Sequence, residues 1–332
     1  MSKRRLSNQQ RTRVRHRQTK YTDIDDRSTR SGRVLCFYGK EAEVQCAQSN
    51  AVVRCKVRPT IDSIAAGDFV SWLPDEASKA SEAGVVVAVK ARSSHLLRPD
   101  GYGKLKVVAA NIDQVVLTLA TKPEPHQNLI DRYLVVAHKH ELDVLIVLNK
   151  SDLLAEQADE QSMLDLLHSY EQLDYPILVI SAKTGDHLAE LQQKLANGTS
   201  VFTGQSGVGK SSLIQALLPD EKIKTGKLSE ASDKGRHTTT LARLYHFPDG
   251  GECIDSPGIR EFGLWHMDKA DVIAGFRELA PLMGQCRFRN CNHDKEPGCA
   301  IREALSSGIL SDARAQSFEY ILGSLDEVTI RK

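Results

Sequence analysis

The sequence lacks any run of apolar residues approaching the roughly 18 in succession that would cross a bilayer. Its first ten residues, MSKRRLSNQQ, lead into further arginines and not into the apolar core of a secretory signal. We therefore expect a cytoplasmic protein without membrane contact. The seven cysteines are odd in number and spread over 332 residues, which argues against a disulfide framework and favours free thiols or metal ligands.

Acidic residues are absent from the first twenty positions, which hold eight lysines and arginines. The net charge of +1 therefore hides an asymmetry, because the remaining residues hold 36 of the 44 bases and all 43 acids. A segment of this kind buries too little apolar surface to order itself, so residues 1–30 are predicted to form a disordered basic arm that binds RNA phosphates. The alternative is a tail that only improves solubility.

The rest of the chain has an ordinary globular composition. Apolar residues make up 41% and charged residues 26% of the sequence, which excludes a wholly disordered chain. At about 100 to 200 residues per domain, this length predicts two or three domains.

Short alternating apolar and polar runs fill the stretch from 31 to about 98, separated by glycine, proline and asparagine. The clearest runs are 34–38, 51–57, 69–72 and 85–89. About five short strands in this space predict a small closed barrel, and the OB-fold is the commonest such barrel that handles nucleic acid. Cys36, Cys46 and Cys55 are expected to be packed core thiols.

From residue 112 the pattern changes to apolar strands alternating with amphipathic helices, which predicts βαβ units and a parallel sheet. Leu188, Leu191 and Leu195 mark one face of a helix, with Asp186 as the expected N-cap. The predicted strands are 115–120, 144–148, 177–180, 200–203, 244–247 and 253–254.

A phosphate-binding motif, G-x-x-x-x-G-K-S, follows the fourth of these strands and opens into an apolar helix. Glycines let backbone N–H groups close around the β-phosphate, Lys210 reaches the β and γ oxygens, and the Ser211 hydroxyl binds Mg²⁺. The predicted nucleotide-binding residues here are Thr203, Gly204, Gln205, Ser206, Gly207, Val208, Gly209, Lys210 and Ser211.

A second motif, Asp255-Ser-Pro-Gly258, follows the last predicted strand, about 45 residues after the phosphate loop. The Asp255 carboxylate would hold Mg²⁺ through water, and the Gly258 N–H would sense the γ-phosphate. The motif means little alone, but in this position it predicts a nucleotide switch.

Two further loops predict which base the bound nucleotide carries. In Asn149-Lys150-Ser151-Asp152, the carboxylate of Asp152 can accept the N1–H and 2-amino protons of guanine, which adenine does not offer there. Lys150 would lie along the purine and Asn149 would tie the loop down. The segment Ser181, Ala182, Lys183 can present a backbone N–H to guanine O6. A polar turn after a strand is the alternative for 149–152 taken alone.

A soft-ligand cluster comes late in the chain, with Cys286, Cys291, His293 and Cys299 within fourteen residues. A closed Cys3His tetrahedral zinc site fits this set, although the spacing is not the tandem C-x2-C of common zinc fingers. Scattered structural thiols are the alternative. Cations and one aromatic ring that could stack on a base fall between the ligands: Arg287, Phe288, Arg289 and Lys295.

The four nucleotide loops resemble those of Ras-like GTPases in a permuted order, with the base loops ahead of the phosphate loop and the switches. The permutation is tolerable because every loop still follows the carboxyl end of a strand. With the arm, the barrel and the Cys3His cluster, the chain resembles the RsgA (YjeQ) family of small ribosomal subunit biogenesis GTPases. The resemblance extends from Gly32 to about Leu325 and includes the switch-like segment GRHTTT at 235–240.

The resemblance implies a bacterial late-assembly factor whose GTPase is stimulated by the small ribosomal subunit and its rRNA, and which leaves on hydrolysis. A monomer is expected, with other assembly factors as further partners. In the switch segment the family match favours Thr239 as the Mg²⁺ ligand, with Thr238 as the alternative. Position 259 is isoleucine where Ras-like enzymes place the water-orienting glutamine. His237 is therefore the candidate to position or deprotonate the attacking water, the alternative being an rRNA contact.

The predicted architecture is a basic arm (1–30), an OB-like β-barrel (31–105), an α/β circularly permuted P-loop GTPase domain (106–270) and a helical zinc-binding domain (271–332). The predicted activity is Mg²⁺-dependent hydrolysis of GTP to GDP and phosphate, with one structural Zn²⁺. One alternative is a GTP-gated RNA-binding module whose hydrolysis is incidental. Another is a P-loop ATPase or kinase, which residues 149–152 disfavour.

Overall fold

The structure is a computed structural model that describes residues 29–75, 83–99, 105–156, 160–219, 241–255 and 267–330. Residues 1–28 of the predicted arm and the switch residues His237, Thr238, Thr239, Gly258 and Ile259 lie outside these ranges, whereas Arg30 at the end of the predicted arm belongs to the first strand. Among the described residues, no helix is long and apolar enough to span a bilayer.

The first domain is a closed five-stranded barrel. Its strands are β1 (Arg30–Phe37), β2 (Glu41–Cys46), β3 (Val52–Val57), β4 (Phe69–Pro74) and β5 (Ala83–Val89). They pair in the order β1-β2-β3-β5-β4, and β4 returns to β1; only β3 and β5 run parallel. This closure confirms the OB-like barrel.

The barrel core is built from the inward positions of each strand. Val34, Val44, Val70, Trp72 and Val86 are almost completely buried. Cys46 and Cys55 belong to this core, as predicted, whereas Cys36 is buried where β1 pairs with another strand at Arg243. Strand β2 was not among the clearest sequence runs, because its outer face carries Glu41 and Glu43 and its apolar face is short.

A hairpin of β6 (His95–Pro99) and β7 (Leu105–Ala110) leads from the barrel into the α/β domain. That domain continues as β8 (Gln114–Ala120), α1 (Gln127–Lys139), β9 (Asp143–Asn149), α2 (Glu160–Glu171), β10 (Ile177–Val179), α3 (Leu188–Leu195), β11 (Thr199–Thr203), α4 (Lys210–Leu217), β12 (Arg243–His246) and β13 (Glu252–Asp255). The six predicted strands therefore exist, and each bound differs from the prediction by at most one residue.

The strand order in this part of the sheet is β10-β9-β8-β11-β13-β12, and all neighbours are parallel except β12 with β13. The carboxyl ends of the parallel strands therefore meet at one edge, where nucleotides bind in open α/β sheets. The sheet also continues into the barrel, because β12 pairs with β1 at Arg243 and Cys36.

The expected N-cap of α3 is wrong. His187 occupies the N-cap position in a left-handed conformation and makes no capping bond with its side chain. The carboxylate of Asp186 instead accepts a 2.6 Å hydrogen bond from the Thr184 hydroxyl. Asp186 thus stabilises the preceding turn and not the helix.

The C-terminal domain consists of α5 (Lys269–Gly275), the 3₁₀ turn Ala280–Leu282, α6 (Ala300–Ser306) and α7 (Asp312–Ile330). Helix α7 packs on α1 and α5, burying Phe318 and Ile321. A charged cluster lies inside this interface: Arg314 of α7 donates to Asp131 of α1, and its Nη2 donates to Glu278 at 2.7 Å. Burial alone would lower the pKa of Arg314, but its hydrogen bonds to Glu278 and the charge of Asp131 raise it. The guanidinium therefore stays charged.

Candidate nucleotide site and metal cluster

The phosphate loop connects β11 to α4 through backbone conformations that only glycine adopts easily. Gly204 has φ +134, and a Cβ there would lie 2.0 Å from the Thr118 carbonyl oxygen. Gly209 has φ +92, and a Cβ there would lie 2.4 Å from Asn149 Nδ2. Because neither glycine has a side chain, the loop can pack against the ends of β8 and β9. The loop Gly204, Gln205, Ser206, Gly207, Val208, Gly209 then leads into Lys210 and Ser211 at the helix N-terminus.

Asn149 and Lys150 tie the phosphate loop to the predicted base loops. Asn149 is almost completely buried; its Nδ2 donates to the Val208 carbonyl at 2.9 Å and its Oδ1 accepts from the Ala182 N–H at 3.0 Å. Lys150 Nζ donates to the carbonyls of Gly207 and Lys122, each at 2.6 Å. The three loops are therefore one hydrogen-bonded unit. The Ala182 N–H, part of the segment predicted to reach guanine O6, is bonded to Asn149 here.

Asp152 lies at the mouth of this unit, in the 3₁₀ turn Ser151–Glu156. Its Oδ1 accepts a 2.7 Å hydrogen bond from the Ser181 hydroxyl, and its Oδ2 lies 3.4 Å from Lys183 Nζ. The hydrogen bond from Ser181, followed by the contact with Lys183, lowers the pKa of Asp152. The carboxylate is thus ionised near neutral pH and can accept two hydrogen bonds from a ligand. Ser151 joins the same loops through its N–H, which donates to the Ile180 carbonyl.

Asp255 ends β13, beside the strand that carries the phosphate loop. Burial raises its pKa, and the positive charge of Lys210 counteracts part of that effect. Lys210 Nζ itself donates to the carbonyls of Gly204 and Gln205 at 2.7 and 2.5 Å. Lys210, Ser211 and Asp255 therefore converge on one end of the sheet, with Thr203 buried below them.

The four predicted metal ligands also come together. One ligand atom from each of Cys286, Cys291, His293 and Cys299 lies within 4.8 Å of all the others. His293 Nδ1 is 3.4 Å from the sulfurs of both Cys286 and Cys299. Three thiols and one imidazole at this separation form a donor set that could hold a metal ion such as Zn²⁺.

Sequence reasoning missed two residues that hold the metal loop in shape. The Glu296 carboxylate accepts hydrogen bonds from the backbone N–H groups of Asn292, Asp294 and Lys295 at 2.9 to 3.1 Å. These bonds, the one from Asn292 first, lower the pKa of Glu296 to about 2. Lys269 Nζ donates to the His293 carbonyl at 3.2 Å. In the sequence, Glu296 is marked only by its position, three residues from each of the metal ligands His293 and Cys299. This signal is weak.

Comparison with known proteins agrees with this geometry. The family model described as RsgA GTPase matches residues 89–265. A small ribosomal subunit biogenesis GTPase RsgA from Saccharophagus degradans is 45% identical, and the match covers 100% of both chains. The protein of the same name from Vibrio cholerae is 46% identical over 90% of this chain and 78% of its own length.

Two solved structures share the architecture. The crystal structure of YjeQ from Thermotoga maritima is similar with a TM-score of 0.69 and 33% identity, covering 90% of this chain and 98% of that chain. The circularly permuted GTPase YloQ is similar with a TM-score of 0.68 and 25% identity, covering 93% and 99%. The permuted order of strands and loops is thus shared with solved proteins.

Proposed function

The chain belongs to the RsgA family of GTPases, and on that premise we propose that it hydrolyses GTP on the small ribosomal subunit during late assembly of that particle. One observation carries the nucleotide assignment: an ionised Asp152, held by Ser181 and Lys183, is joined through Asn149 and Lys150 to the phosphate loop. The residues that we propose to read the base and to bind the phosphates therefore belong to one hydrogen-bonded unit.

We assign different parts of the nucleotide to different residues of the site. Asp152 accepts the guanine N1–H and 2-amino protons. Backbone N–H groups of the loop 204–209 and the Lys210 ammonium bind the β- and γ-phosphates. Ser211, Asp255 and, in our proposal, Thr239 hold Mg²⁺, which when bound neutralises charge on the phosphate oxygens.

The hydrolysis step needs a group that positions water. Ile259 has no hydrogen-bonding side chain, so we assign this role to His237, with the Gly258 N–H beside the γ-phosphate. Both residues belong to segments that the structure does not describe, and the assignment rests on the sequence. The neutral imidazole would accept the proton of the attacking water.

The partner and cofactor assignments follow the same family. We propose that the basic arm 1–30 and the OB-like barrel 31–105 bind rRNA, that the GTPase domain is 106–270, and that the Cys3His cluster in 271–332 holds one structural Zn²⁺. Cysteine and histidine donors in a closed set favour zinc over oxygen-preferring cations. A monomer in the cytoplasm fits this role, with other assembly factors as additional partners.

Turnover measured with and without purified small ribosomal subunits tests the proposal. We expect slow GTP hydrolysis alone, a large acceleration by subunits, and no hydrolysis of ATP. Lys210→Ala should abolish both rates by weakening nucleotide binding, whereas Lys194→Ala, an exposed residue of α3, should change neither. If subunits bind in a GTP-dependent way but do not accelerate turnover, the chain is a GTP-gated RNA-binding module.

A further inference from the structure

A row of side chains crosses five strands from the barrel surface to the nucleotide site. Arg54 of β3 is paired with Glu43 of β2, and Glu43 with Cys36 of β1. Cys36 is paired with Arg243 of β12, and Arg243 with Asp255 of β13. Directly opposed residues in a sheet point to the same face, so these five side chains form one continuous line.

Side-chain contacts join Glu43, Tyr38 and Arg243 in the middle of the row, and strand pairing joins Arg243 to Asp255. Glu43 Oε2 accepts a 2.7 Å hydrogen bond from Arg243 Nη1, and its Oε1 accepts one of 2.9 Å from the Tyr38 hydroxyl. Arg243 Nη1 also lies 3.4 Å from the Tyr38 oxygen. These contacts join the barrel to the strand that begins three residues after the switch segment 235–240. Burial raises the pKa of the Cys36 thiol, so the middle of the row is uncharged.

The outer end of the row is exposed and weakly held. Arg54 has 52% of its side chain exposed and lies over the Tyr38 ring, 4.5 Å from its centroid. Its Nε is 3.1 Å from Glu41 and its Nη1 is 3.7 Å from Glu43. Exposed pairs of this kind contribute little to stability, and a phosphodiester competes well for a guanidinium. Lys56 lies on the same face of β3, opposite Glu41 of β2.

We propose that Arg54 on the barrel binds a phosphate of the nucleic-acid backbone and that Arg243 is the positioning residue that transmits this binding to Asp255. When the Arg54 guanidinium binds the phosphate, it leaves the Glu43 carboxylate. Glu43 then keeps Tyr38 and Arg243 as its partners, and the ion pair between Arg243 and Glu43 becomes stronger. Because Arg243 is the cross-strand neighbour of Asp255, its position fixes β12 against the strand that ends at the GTPase centre. The inference rests on the proposed function, since it needs a stimulating subunit.

The chain contains a matched control for this coupling. Arg33 of β1 also joins the barrel to the GTPase sheet, donating to Glu252 at 2.8 Å and to Thr199 at 2.7 Å. Glu252 is three positions before Asp255 on β13, so it lies on the opposite face and at the opposite end of the strand. Loss of Arg33 removes an inter-domain ion pair without touching the row.

The test measures GTP turnover against the concentration of small ribosomal subunits. Arg54→Met should raise the half-saturating concentration and reduce the salt slope of subunit binding by about one. It should keep the maximum rate, because loss of Arg54 leaves Glu43 to Tyr38 and Arg243 just as phosphate binding by Arg54 does. Arg243→Met should lower the maximum rate about three- to thirtyfold while keeping the half-saturating concentration and the rate without subunits. Arg33→Met should keep the maximum rate.

Two further variants separate coupling from a folding defect. Glu43→Gln should lower the maximum rate as Arg243→Met does, and the double variant should be no worse than either single one, because both remove the same contact. Arg243→Lys should restore part of the stimulation. The inference is overturned if Arg243→Met and Glu43→Gln keep full stimulation, or if Arg33→Met loses as much. If subunits fail to stimulate the unmodified protein, the proposed function itself fails.

Discussion

The Ser181 hydroxyl donates a 2.7 Å hydrogen bond to Asp152, joining the loops that follow β10 and β9. The same carboxylate faces Lys183, so both of its oxygens have partners in the protein. A group that is held in place loses little conformational freedom when a ligand binds. The proposed guanine site is therefore organised by contacts between two loops that are separate in sequence.

Asp152→Asn should weaken GDP and GTP binding by about a hundredfold, because the amide replaces a charged acceptor by one that also donates. The variant should prefer xanthine nucleotides, whose 2-oxo group accepts from the amide. Titration with labelled GDP and XDP measures both affinities. Asp186→Asn, an exposed change in the neighbouring turn, is the control; undiminished GTP binding by Asp152→Asn would refute the base site.

Deleting residues 2–20 should weaken binding to small-subunit rRNA and flatten its salt dependence. Each lost phosphate contact reduces the slope of log affinity against log salt by about 0.7 to 0.9. Nucleotide affinity should not change, since the nucleotide loops lie elsewhere in the chain. An unchanged slope would identify the arm as a solubilising tail.

Metal analysis should find one equivalent of zinc in reduced protein, and Cys291→Ala should release it. The loop around it has little apolar core, so the region 286–299 should lose protection from hydrogen exchange while GDP binding persists. Glu296→Gln should speed zinc release to a chelator by about tenfold or more, within the range seen for supporting residues around metal sites. Cys46→Ser, in the barrel, should retain the metal. Protein free of any transition metal would refute the site.

Arg314→Met should destabilise the C-terminal domain by about 3 to 5 kcal/mol, because it leaves the buried Asp131 carboxylate without its cation. Hydrogen exchange in α7 measures this effect. The double variant Asp131→Asn, Arg314→Met should be less destabilised than Arg314→Met alone, since Asp131 is then uncharged and only Glu278 loses its cation. Arg302→Met, exposed on α6, is the control. Equal losses in the single and double variants would contradict the role of the ion pair.

The sequence predicted features that depend on local pattern. The strands of the α/β domain are buried on both faces, so they appear as apolar runs, and each nucleotide loop follows one of them. The phosphate loop and the Cys3His cluster are contiguous motifs whose residues carry their own signal. The permuted order followed from the positions of these motifs alone.

Features that depend on pairing between distant strands could not be predicted in this way. Arg243 and Glu43 are 200 residues apart, and neither belongs to a motif. The same holds for Arg314 with Asp131, which appear in sequence as ordinary helix-surface charges. Asp186 was assigned to the wrong role because turn and helix N-cap chemistry use the same residue types.

The catalytic prediction concerns His237. Lys210, Ser211 and Asp255 are assigned to phosphate and Mg²⁺, and Ile259 cannot orient water. His237 is adjacent in sequence to the threonines of the switch segment, one of which we propose as a Mg²⁺ ligand, so its imidazole would lie near that ligand. His237→Ala should keep GTP and subunit binding but lose about a hundredfold or more of the subunit-stimulated rate.

Single-turnover hydrolysis at saturating subunits separates this loss from weaker binding, since it measures the chemical step. His168→Ala, an exposed histidine of α2, should behave like the unmodified protein. His237→Gln should recover part of the rate, because an amide can still orient water although it cannot take the proton. If His237→Ala hydrolyses GTP at the full stimulated rate, the group that positions water comes from the subunit or from another residue of the chain.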